Sequence, residues 1–163
     1  MVEVMEYSCN KKELYEEVEL QLKGLFEDCP HVVANLANAS AVLNQAMWDI
    51  NWVGFYVMEE GQLVLGPFQG KAACVEIKVG RGVCGTAVAE DETQLVKDVH
   101  AFPGHIACDG ASNSEIVIPI HVNGKVWGVL DIDSPLLGRF DEEDKAGLEK
   151  VVGVVEAMLE SNK

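Results

Sequence analysis

Residues 114–134 read SEIVIPIHVNGKVWGVLDIDS, and this stretch decides the fold. Two alternating runs, Ser114–Val122 and Lys125–Ser134, flank the dipeptide Asn123-Gly124. Alternation with a period of two is typical of strands that bury one face, and Asn-Gly between two such runs is a strong hairpin signal. The stretch therefore predicts an antiparallel hairpin.

The register of this hairpin follows from its apolar residues. Ile116, Ile118 and Ile120 share one face of the first strand, while Val126, Leu130 and Ile132 are expected to share one on the second. A plain two-residue turn would place these two sets on opposite faces of the sheet. A three-residue loop, with Gly124 in the left-handed position of a bulge, pairs His121 with Lys125 and brings both sets to one core. We expect that register.

The expected register has a consequence for the acidic residues. It sets Glu115 directly opposite Asp131, with Asp133 on the same face, which also carries Val117, Trp127 and Val129. Like charges directly opposite each other destabilise a sheet. Two interpretations stay open: a solvent-exposed acidic surface, or a site that binds a cation or shares a proton.

The remaining elements follow from periodicity and from turn residues. Helical spacing predicts helices over residues 11–27, from 31 to about 48, and from 141 onward, the last one capped by Asp141. Shorter strands are predicted at 51–58, 63–68, 72–79 and 94–99, and a short helix within 80–90. Residues 100–113 lack periodicity and predict a long loop, a kind of segment that often carries function.

Composition limits the function classes. The 163 residues are 48% hydrophobic and carry 27 acidic against 12 basic residues, a net charge of −15. This predicts a single domain over residues 1–163 and opposes binding to nucleic acid or to an anionic membrane. Residues 1–7 do not resemble a secretory signal, and no apolar run is long enough to span a membrane, so a cytoplasmic protein is expected.

The chain contains five cysteines in irregular spacing and no C-x-x-C motif, which argues against a disulfide framework or a zinc ribbon. Cys74 and Cys84 lie on predicted packed elements, where a cysteine is most often inert, whereas Cys108 lies in the irregular loop close to Glu115. His100, His105 and His121 are scattered, so no metal site is predicted. The glycines of residues 80–85 match G-x-G-x-x-G, but a dinucleotide fold needs parallel strands, and a tight turn before a helix is the expected use.

Several segments together resemble the free methionine-(R)-sulfoxide reductases, which are single-domain GAF proteins. The matching segments, between Asn51 and Phe140, are NWVGFY (51–56), LGPFQG (65–70), GRGVCGTA (80–87), DV (98–99), FPGHIACD (102–109) and LDIDS (130–134). The resemblance implies an α+β fold: a GAF-like central antiparallel β-sheet, with the N- and C-terminal helices packed on one side and long loops covering a pocket on the other. It also suggests a homodimer built on the terminal helices.

The resemblance also implies an activity, reduction of free L-methionine (R)-S-oxide by thiol chemistry without a cofactor. In it Cys108 is the nucleophile, and Cys74 and Cys84 are resolving thiols, of which Cys74 is favoured as the first. Substrate-binding positions are Glu115, Asp131, Asp133, Trp52 and Tyr56. Cys108 becomes a sulfenic acid, a second thiol condenses with it to a disulfide, and thioredoxin is the expected reductant.

Two alternatives remain at this stage. A non-catalytic GAF module would sense a small molecule such as a cyclic nucleotide, but the acids would repel a phosphate, and such modules are usually fused to an output domain for which this chain has no room. A thiol redox sensor needs only the cysteines and leaves the three carboxylates unexplained.

Overall fold

The computed structural model describes residues 6–104 and 110–162. Within these residues four helices and six strands follow one another, with a short 3-10 turn at Val99–Ala101. Their order is α1 (Lys11–Phe26), α2 (Val32–Ala46), β1 (Trp52–Glu59), β2 (Gln62–Gln69), β3 (Glu76–Lys78), α3 (Gly82–Glu90), β4 (Gln94–Val96), β5 (Ser114–Val122), β6 (Lys125–Ser134) and α4 (Glu142–Ser161).

The six strands form one antiparallel sheet in the order β3-β2-β1-β6-β5-β4. One face packs against α1, α2 and α4, with a buried apolar core that includes Phe55 of β1 and Leu148 of α4. The opposite face carries a second, smaller cluster shared with α3. The predicted α+β architecture with the terminal helices on one side is therefore confirmed, while the covering of a pocket by long loops stays a prediction.

The helix boundaries have local causes that the sequence makes visible. The Asn10 side chain accepts a hydrogen bond from the backbone N–H of Glu13 and so caps α1. Asp141 and Asp144 form a reciprocal capping box at the start of α4, because each side chain accepts a bond from the other residue's backbone N–H. The predicted cap at Asp141 is confirmed.

A buried polar network fixes α1 against α4. Asp144, which is fully buried, accepts hydrogen bonds from the Tyr15 hydroxyl at 2.6 Å and from Lys11 Nζ at 2.8 Å. Arg139 Nη1 lies 3.4 Å from the same carboxylate. At the same contact Gly147 lets α4 approach the Tyr15 ring so closely that a Cβ there would lie 2.2 Å from a ring carbon.

The β5–β6 hairpin forms as predicted, but its register is different. Asn123 and Gly124 both adopt positive φ, and the turn is the plain two-residue kind, with Val122 paired to Lys125. The extra residue needed to bring the two apolar sets to one core lies inside β6, because His121 pairs with Val126 and Ile120 pairs with Gly128. The bulge is thus at Trp127, not at the turn.

This bulge corrects two sequence-based expectations. Glu115 lies opposite Asp133, and Asp131 lies opposite Val117, instead of Glu115 opposite Asp131. Trp127 packs against the core on the three-helix side, not on the acidic face. The two strands still present Glu115, Asp131 and Asp133 on one face, because both registers pair residues of the same parity.

Two strands are shorter than predicted. The segment 72–79 is extended only at Glu76–Lys78, and 94–99 only at Gln94–Val96. Cys74 therefore lies in the connection that precedes β3, not on a strand. None of the helices within residues 6–104 and 110–162 is both long and apolar enough to cross a membrane.

Candidate active site

A pocket opens on the sheet face opposite the three packed helices. Strands β1, β5 and β6 form its floor, while α3 and the connection between β2 and β3 form its sides. It encloses about 570 Å3 when the space open to solvent at its mouth is counted. Its lining comprises Trp52, Tyr56, Ala72, Ala73, Ile77, Arg81, Gly82, Val83, Cys84, Ser112, Glu115, Asp131 and Asp133.

The three predicted acids lie together in this pocket. Glu115 is 8% exposed and Asp131 5% exposed, while Asp133 is half-buried. Glu115 and Asp133 are direct cross-strand partners, and Asp131 lies two residues before Asp133 on the same face. The interpretation as a merely exposed acidic surface is therefore wrong, because the acids are withdrawn from water.

Burial and mutual repulsion change the proton affinity of these groups. Burial, followed by repulsion from Asp131 and Asp133, raises the pKa of Glu115 well above its ordinary value. Burial and repulsion from Asp131 do the same to the pKa of Asp133. Burial also raises the pKa of Asp131, although hydrogen bonds, first with Glu115 and then with Cys84, oppose the increase. The cluster can therefore hold protons at a pH where an ordinary carboxyl group has lost its own.

Two oxygens of this cluster lack a partner within the described part of the chain. They are Asp131 Oδ1 and Asp133 Oδ1, both of which are buried. Buried polar atoms are nearly always hydrogen-bonded in native proteins, and an exception inside a pocket is explained by a ligand, ion or proton that the site receives. The two atoms indicate that the pocket is built to receive a donor or a cation.

Cys84 reaches the acids because α3 packs closely against the sheet. Gly82 begins α3 with a positive φ of 62°, and a Cβ on Gly85 would lie 2.4 Å from the carbonyl oxygen of Lys78. The predicted turn before a helix is thus confirmed at Gly82, and Gly85 also permits a close approach that was not predicted. The Cys84 thiol is free and buried, and burial followed by repulsion from Asp131 raises its pKa well above the ordinary value.

Aromatic side chains form the apolar wall of the pocket. Trp52 and Tyr56 are both buried, stacked with 5.9 Å between ring centroids, and Phe68 of β2 stacks on Trp52 at 5.2 Å. Trp52 Nε1 donates to the carbonyl of Lys71 at 3.1 Å, and the Tyr56 hydroxyl donates to the carbonyl of Cys74 at 2.9 Å. The two rings thereby fix the β2–β3 connection over one side of the pocket.

The cysteines differ in their environments. Cys74 is disulfide-bonded and half-buried beside Tyr56, whereas Cys9, Cys29 and Cys84 are free thiols. Cys108, the predicted nucleophile, lies outside the described residues, as do His105 and the rest of the segment 105–109. Of the predicted site residues, the pocket thus contains Trp52, Tyr56, Cys84, Glu115, Asp131 and Asp133.

Sequence reasoning missed two polar residues of this pocket and an aromatic residue that supports its wall. Ser112 lies beside the acids and accepts a hydrogen bond from Asn51 Nδ2 at 3.1 Å, and Arg81 brings a positive charge to the rim. Phe68 stacks on Trp52 without lining the pocket itself. Phe68 belongs to a predicted strand, so its stacking could have been inferred from the β1–β2 pairing. Ser112 and Arg81 stand in segments without periodicity, where no pattern signals their position.

Chemically, the pocket combines buried acids that hold protons with an apolar wall of stacked aromatic rings. Such acids can protonate an oxygen of a bound ligand or neutralise its cationic group. A metal ion is a further ligand that the donors could accept, since ligand atoms of Cys84, Glu115 and Asp131 lie within 4.8 Å of one another.

Comparisons with known proteins agree with this geometry. A family model described as GAF domain matches residues 26–159. The chain is 54% identical over 150 residues to a free methionine-R-sulfoxide reductase of Escherichia coli (strain K12), covering 92% of this chain and 91% of that protein. It is 50% identical over 154 residues to a protein of the same name from Saccharomyces cerevisiae, covering 90% and 86%. The X-ray structure of free methionine-R-sulfoxide reductase from Neisseria meningitidis in complex with its substrate matches with a TM-score of 0.94 at 44% identity, over 99% of this chain and 98% of that one.

Proposed function

Because the chain belongs to the free methionine-R-sulfoxide reductase family of GAF domain proteins, we propose that it reduces free L-methionine (R)-S-oxide to methionine. The observation that carries the proposal is the group of three acids, Glu115, Asp131 and Asp133, withdrawn from water at the floor of an aromatic-walled pocket. A sulfoxide is a poor electrophile until its oxygen is protonated or strongly hydrogen-bonded, and this group is suited to supply that proton.

The acids also suit a free amino acid. Its ammonium group, which a peptide-bound residue lacks, can be neutralised by a carboxylate that has lost its proton. Buried carboxylates whose proton affinities differ can divide the two tasks, one holding a proton and another holding charge. The unpartnered oxygens of Asp131 and Asp133 support this division, because each can accept a donor from the ligand.

Trp52 and Tyr56 form the binding surface for the methyl end of the substrate. Their stacked rings present a flat apolar wall, and hydrogen bonds from both rings to the β2–β3 connection hold them in place. A rigid wall limits how the sulfur can turn and thereby favours one epimer of the sulfoxide.

Cys108 is the nucleophile in this proposal. Its thiolate attacks the sulfoxide sulfur, the S–O bond of the substrate breaks, and the oxygen ends on the cysteine as a sulfenic acid while methionine leaves. The substrate sulfur gains two electrons and the cysteine sulfur loses two. The step consumes one proton, which the acids deliver to the substrate oxygen, and the proton released when the Cys108 thiol ionises restores the acids.

Cys74 then resolves the sulfenic acid by forming a disulfide and releasing water. Three observations support Cys74 over Cys84 for this role: Cys74 is disulfide-bonded, it is half-buried instead of buried, and Tyr56 fixes its backbone beside the pocket. Cys84 is a buried thiol whose raised pKa makes thiolate formation costly, and it serves as a second resolving thiol. A thioredoxin dithiol reduces the disulfide by exchange and restores both cysteines.

The proposal also covers the domain organisation, location, oligomeric state and cofactor requirement of the protein. The chain acts as a single GAF domain in the cytoplasm, where a thioredoxin system keeps its thiols reduced. It forms a homodimer through the terminal helices α1 and α4, which pack against each other on the side away from the pocket. Neither a metal nor another cofactor takes part in the turnover.

The decisive experiment mixes the protein with purified R and S epimers of free methionine sulfoxide, thioredoxin, thioredoxin reductase and NADPH. We expect NADPH consumption with the R epimer and little with the S epimer or with a peptide that contains methionine sulfoxide. Absence of turnover of the R epimer, with the coupling system shown to be active on another disulfide, refutes the proposal. Cys29→Ser is the matched control, because Cys29 is a free thiol outside the pocket lining.

A further inference from the structure

We propose that the same pocket is a binding site for a zinc ion, held by Cys84 Sγ and by one carboxylate oxygen each of Glu115 and Asp131. Zinc bound there excludes the sulfoxide and inhibits the protein. The binding half of this inference stands on geometry alone, while the inhibition half rests on the function proposed above.

The donor atoms have the right spacing. Ligand atoms of Cys84, Glu115 and Asp131 all lie within 4.8 Å of one another. Tetrahedral zinc with a Zn–S bond of about 2.3 Å and Zn–O bonds of about 2.0 Å needs donors about 3.3–3.5 Å apart. Side-chain shifts of about 1 Å or less per donor would therefore close the site around the ion.

A second observation points to a missing ligand. Asp131 is only 5% exposed, it lines the pocket, and its Oδ1 has no hydrogen-bond partner within the described part of the chain. Asp133 Oδ1 is also buried and also lacks a hydrogen-bond partner among the described residues. A cation would provide these oxygens with the partner that buried polar atoms normally have.

The charge of the pocket also favours a cation. Three carboxyl groups and a thiol crowd one buried face, and positive charge is what such a cluster lacks, since Arg81 is exposed at the rim. A divalent ion would offset the mutual repulsion of the donors once they are deprotonated. The fourth position around the zinc would face the open pocket and take water.

The donor set selects the metal. A thiolate with two carboxylates suits zinc, whereas Ca2+ takes six to eight oxygen ligands and Mg2+ prefers an octahedral shell of oxygens. Histidine, the commonest additional zinc ligand, does not occur among the described residues that line the pocket, which explains why motif spacing in the sequence did not reveal the site. We therefore expect zinc to bind and Ca2+ and Mg2+ not to compete with it.

The site also accounts for why binding would block turnover. The carboxyl groups that would hold zinc are those that would otherwise give a proton to the sulfoxide oxygen or accept the ammonium group. An ion on Glu115 and Asp131 therefore removes both functions at once, and its inhibition should be competitive with methionine sulfoxide.

The test begins with binding of zinc to the full-length protein, reduced and then freed of reductant, in competition with a chromophoric chelator. We expect one zinc per chain at this site. Cys84→Ser and Asp131→Asn should each weaken the affinity about 10-fold or more, whereas Cys29→Ser and Cys9→Ser, which alter free thiols outside the pocket lining, should leave it within about 2-fold. Circular dichroism confirms that each variant is folded. Wild-type affinity in either pocket variant, or loss of binding in Cys29→Ser or Cys9→Ser, overturns the site.

Inhibition is measured separately, as methionine formed in a single turnover without the coupling enzymes, whose own thiols bind zinc. We expect zinc to raise the sulfoxide concentration needed for half-maximal turnover, and the effect to fall in Asp131→Asn. Turnover that is insensitive to saturating zinc overturns the inhibition half. If the pocket variants lose zinc affinity but no sulfoxide is ever reduced, the proposed function has failed and the zinc site stands.

Discussion

Glu115 and Asp133 are direct cross-strand partners in the β5–β6 hairpin, so that two acids stand side by side on the pocket face of the sheet. The usual occupants of such positions are apolar or oppositely charged residues, because like charges in this relationship destabilise a sheet. Asp131 adds a third carboxyl group on the same face. The arrangement weakens the fold locally and supplies the chemistry on which the proposed function depends.

The first prediction concerns this cost. Asp133→Asn removes one charge of the pair while keeping the side-chain shape. We expect the free energy of unfolding at pH 7 to rise by up to about 1 kcal/mol, the scale of a cross-strand charge pair. The reductase activity should fall at least about 100-fold, the lower range for losing general acid catalysis. Urea unfolding and the NADPH-coupled assay measure the two effects.

Glu59→Gln is the matched control for that substitution, because Glu59 is an exposed acid at the end of β1. We expect its stability within about 0.5 kcal/mol of wild type and unchanged activity. A destabilised Asp133→Asn variant would contradict the view that the acid pair opposes folding.

The second prediction distinguishes the roles of the cysteines by the kinetics of their serine variants. Cys108→Ser should abolish reduction of methionine sulfoxide, because no sulfur remains to attack the substrate. Cys74→Ser should still form about one methionine per chain in a single turnover, but its thioredoxin-coupled rate should fall at least about 10-fold, because the sulfenic acid lacks its partner. Rapid quench with mass spectrometry detects the trapped sulfenic acid.

Cys84→Ser provides the comparison for the resolving role. We expect it to retain most of the thioredoxin-coupled rate, since the Cys84 thiol is buried and hard to ionise. If Cys84→Ser stops multiple turnover and Cys74→Ser does not, the order of the two resolving thiols is reversed.

The third prediction is that alanine has opposite effects on stability at two glycines of α4. A Cβ on Gly147 would lie 2.2 Å from the ring of Tyr15, which is buried and tied to Asp144, so the ring has no room to move. Gly147→Ala should destabilise the protein by about 1–3 kcal/mol through overpacking. Gly153 has no atom within 4 Å of such a Cβ, and Gly153→Ala should stabilise by about 0.5–1 kcal/mol through helix propensity. Thermal unfolding distinguishes the opposite signs, and equal effects would refute the contact.

The fourth prediction concerns pH and His121 at the end of β5. Its ring contacts Asp91, the C-cap residue that follows α3, through Nε2, and it contacts Glu156 of α4 through Nδ1. The same groove is also lined by Lys145, Glu149 and Glu92. Partial burial opposes the charged ring, but the hydrogen bonds with Asp91 and then Glu156 outweigh it and raise the pKa of His121. The imidazolium thus links three elements.

A raised folded-state pKa means that this stabilisation is fully present below pH 6.5, the ordinary value, and is lost as the pH rises through the folded-state value. Because the ring is more than a third exposed, solvent screening limits the effect to about 1 kcal/mol or less, and salt reduces it. We expect His121→Gln to flatten the stability profile between about pH 6 and 8, as followed by urea unfolding. His31→Gln is the control, and an identical slope in His121→Gln and wild type would contradict the prediction.

Much of the fold could be predicted because its signals are local. The spacing of Leu14, Val18 and Leu22 fixes α1, Asp141 caps α4, and Asn123-Gly124 fixes a hairpin turn. The strand predicted at 72–79 is too long. The Cys74 carbonyl accepts a hydrogen bond from the Tyr56 hydroxyl, and the chain pairs as β3 only from Glu76 onward. That constraint comes from residues distant in sequence, and no local pattern reveals it.

In the candidate site, too, some features could be predicted from the sequence and others could not. That Glu115, Asp131 and Asp133 share one face was determined by the sequence, because the apolar residues of both strands must reach one core and the side chains alternate. Which acid faces which depends on the bulge at Trp127, whose side chain packs on the three-helix core, and that packing exists only in the folded protein. Likewise, the glycines at 82 and 85 predicted a turn, but only the docking of α3 on the sheet brings the Cys84 thiol to Asp131. Sequence alone thus determined the chemistry of the face, through local periodicity, whereas the pairing of its charges and the thiol beside them were decided by long-range packing.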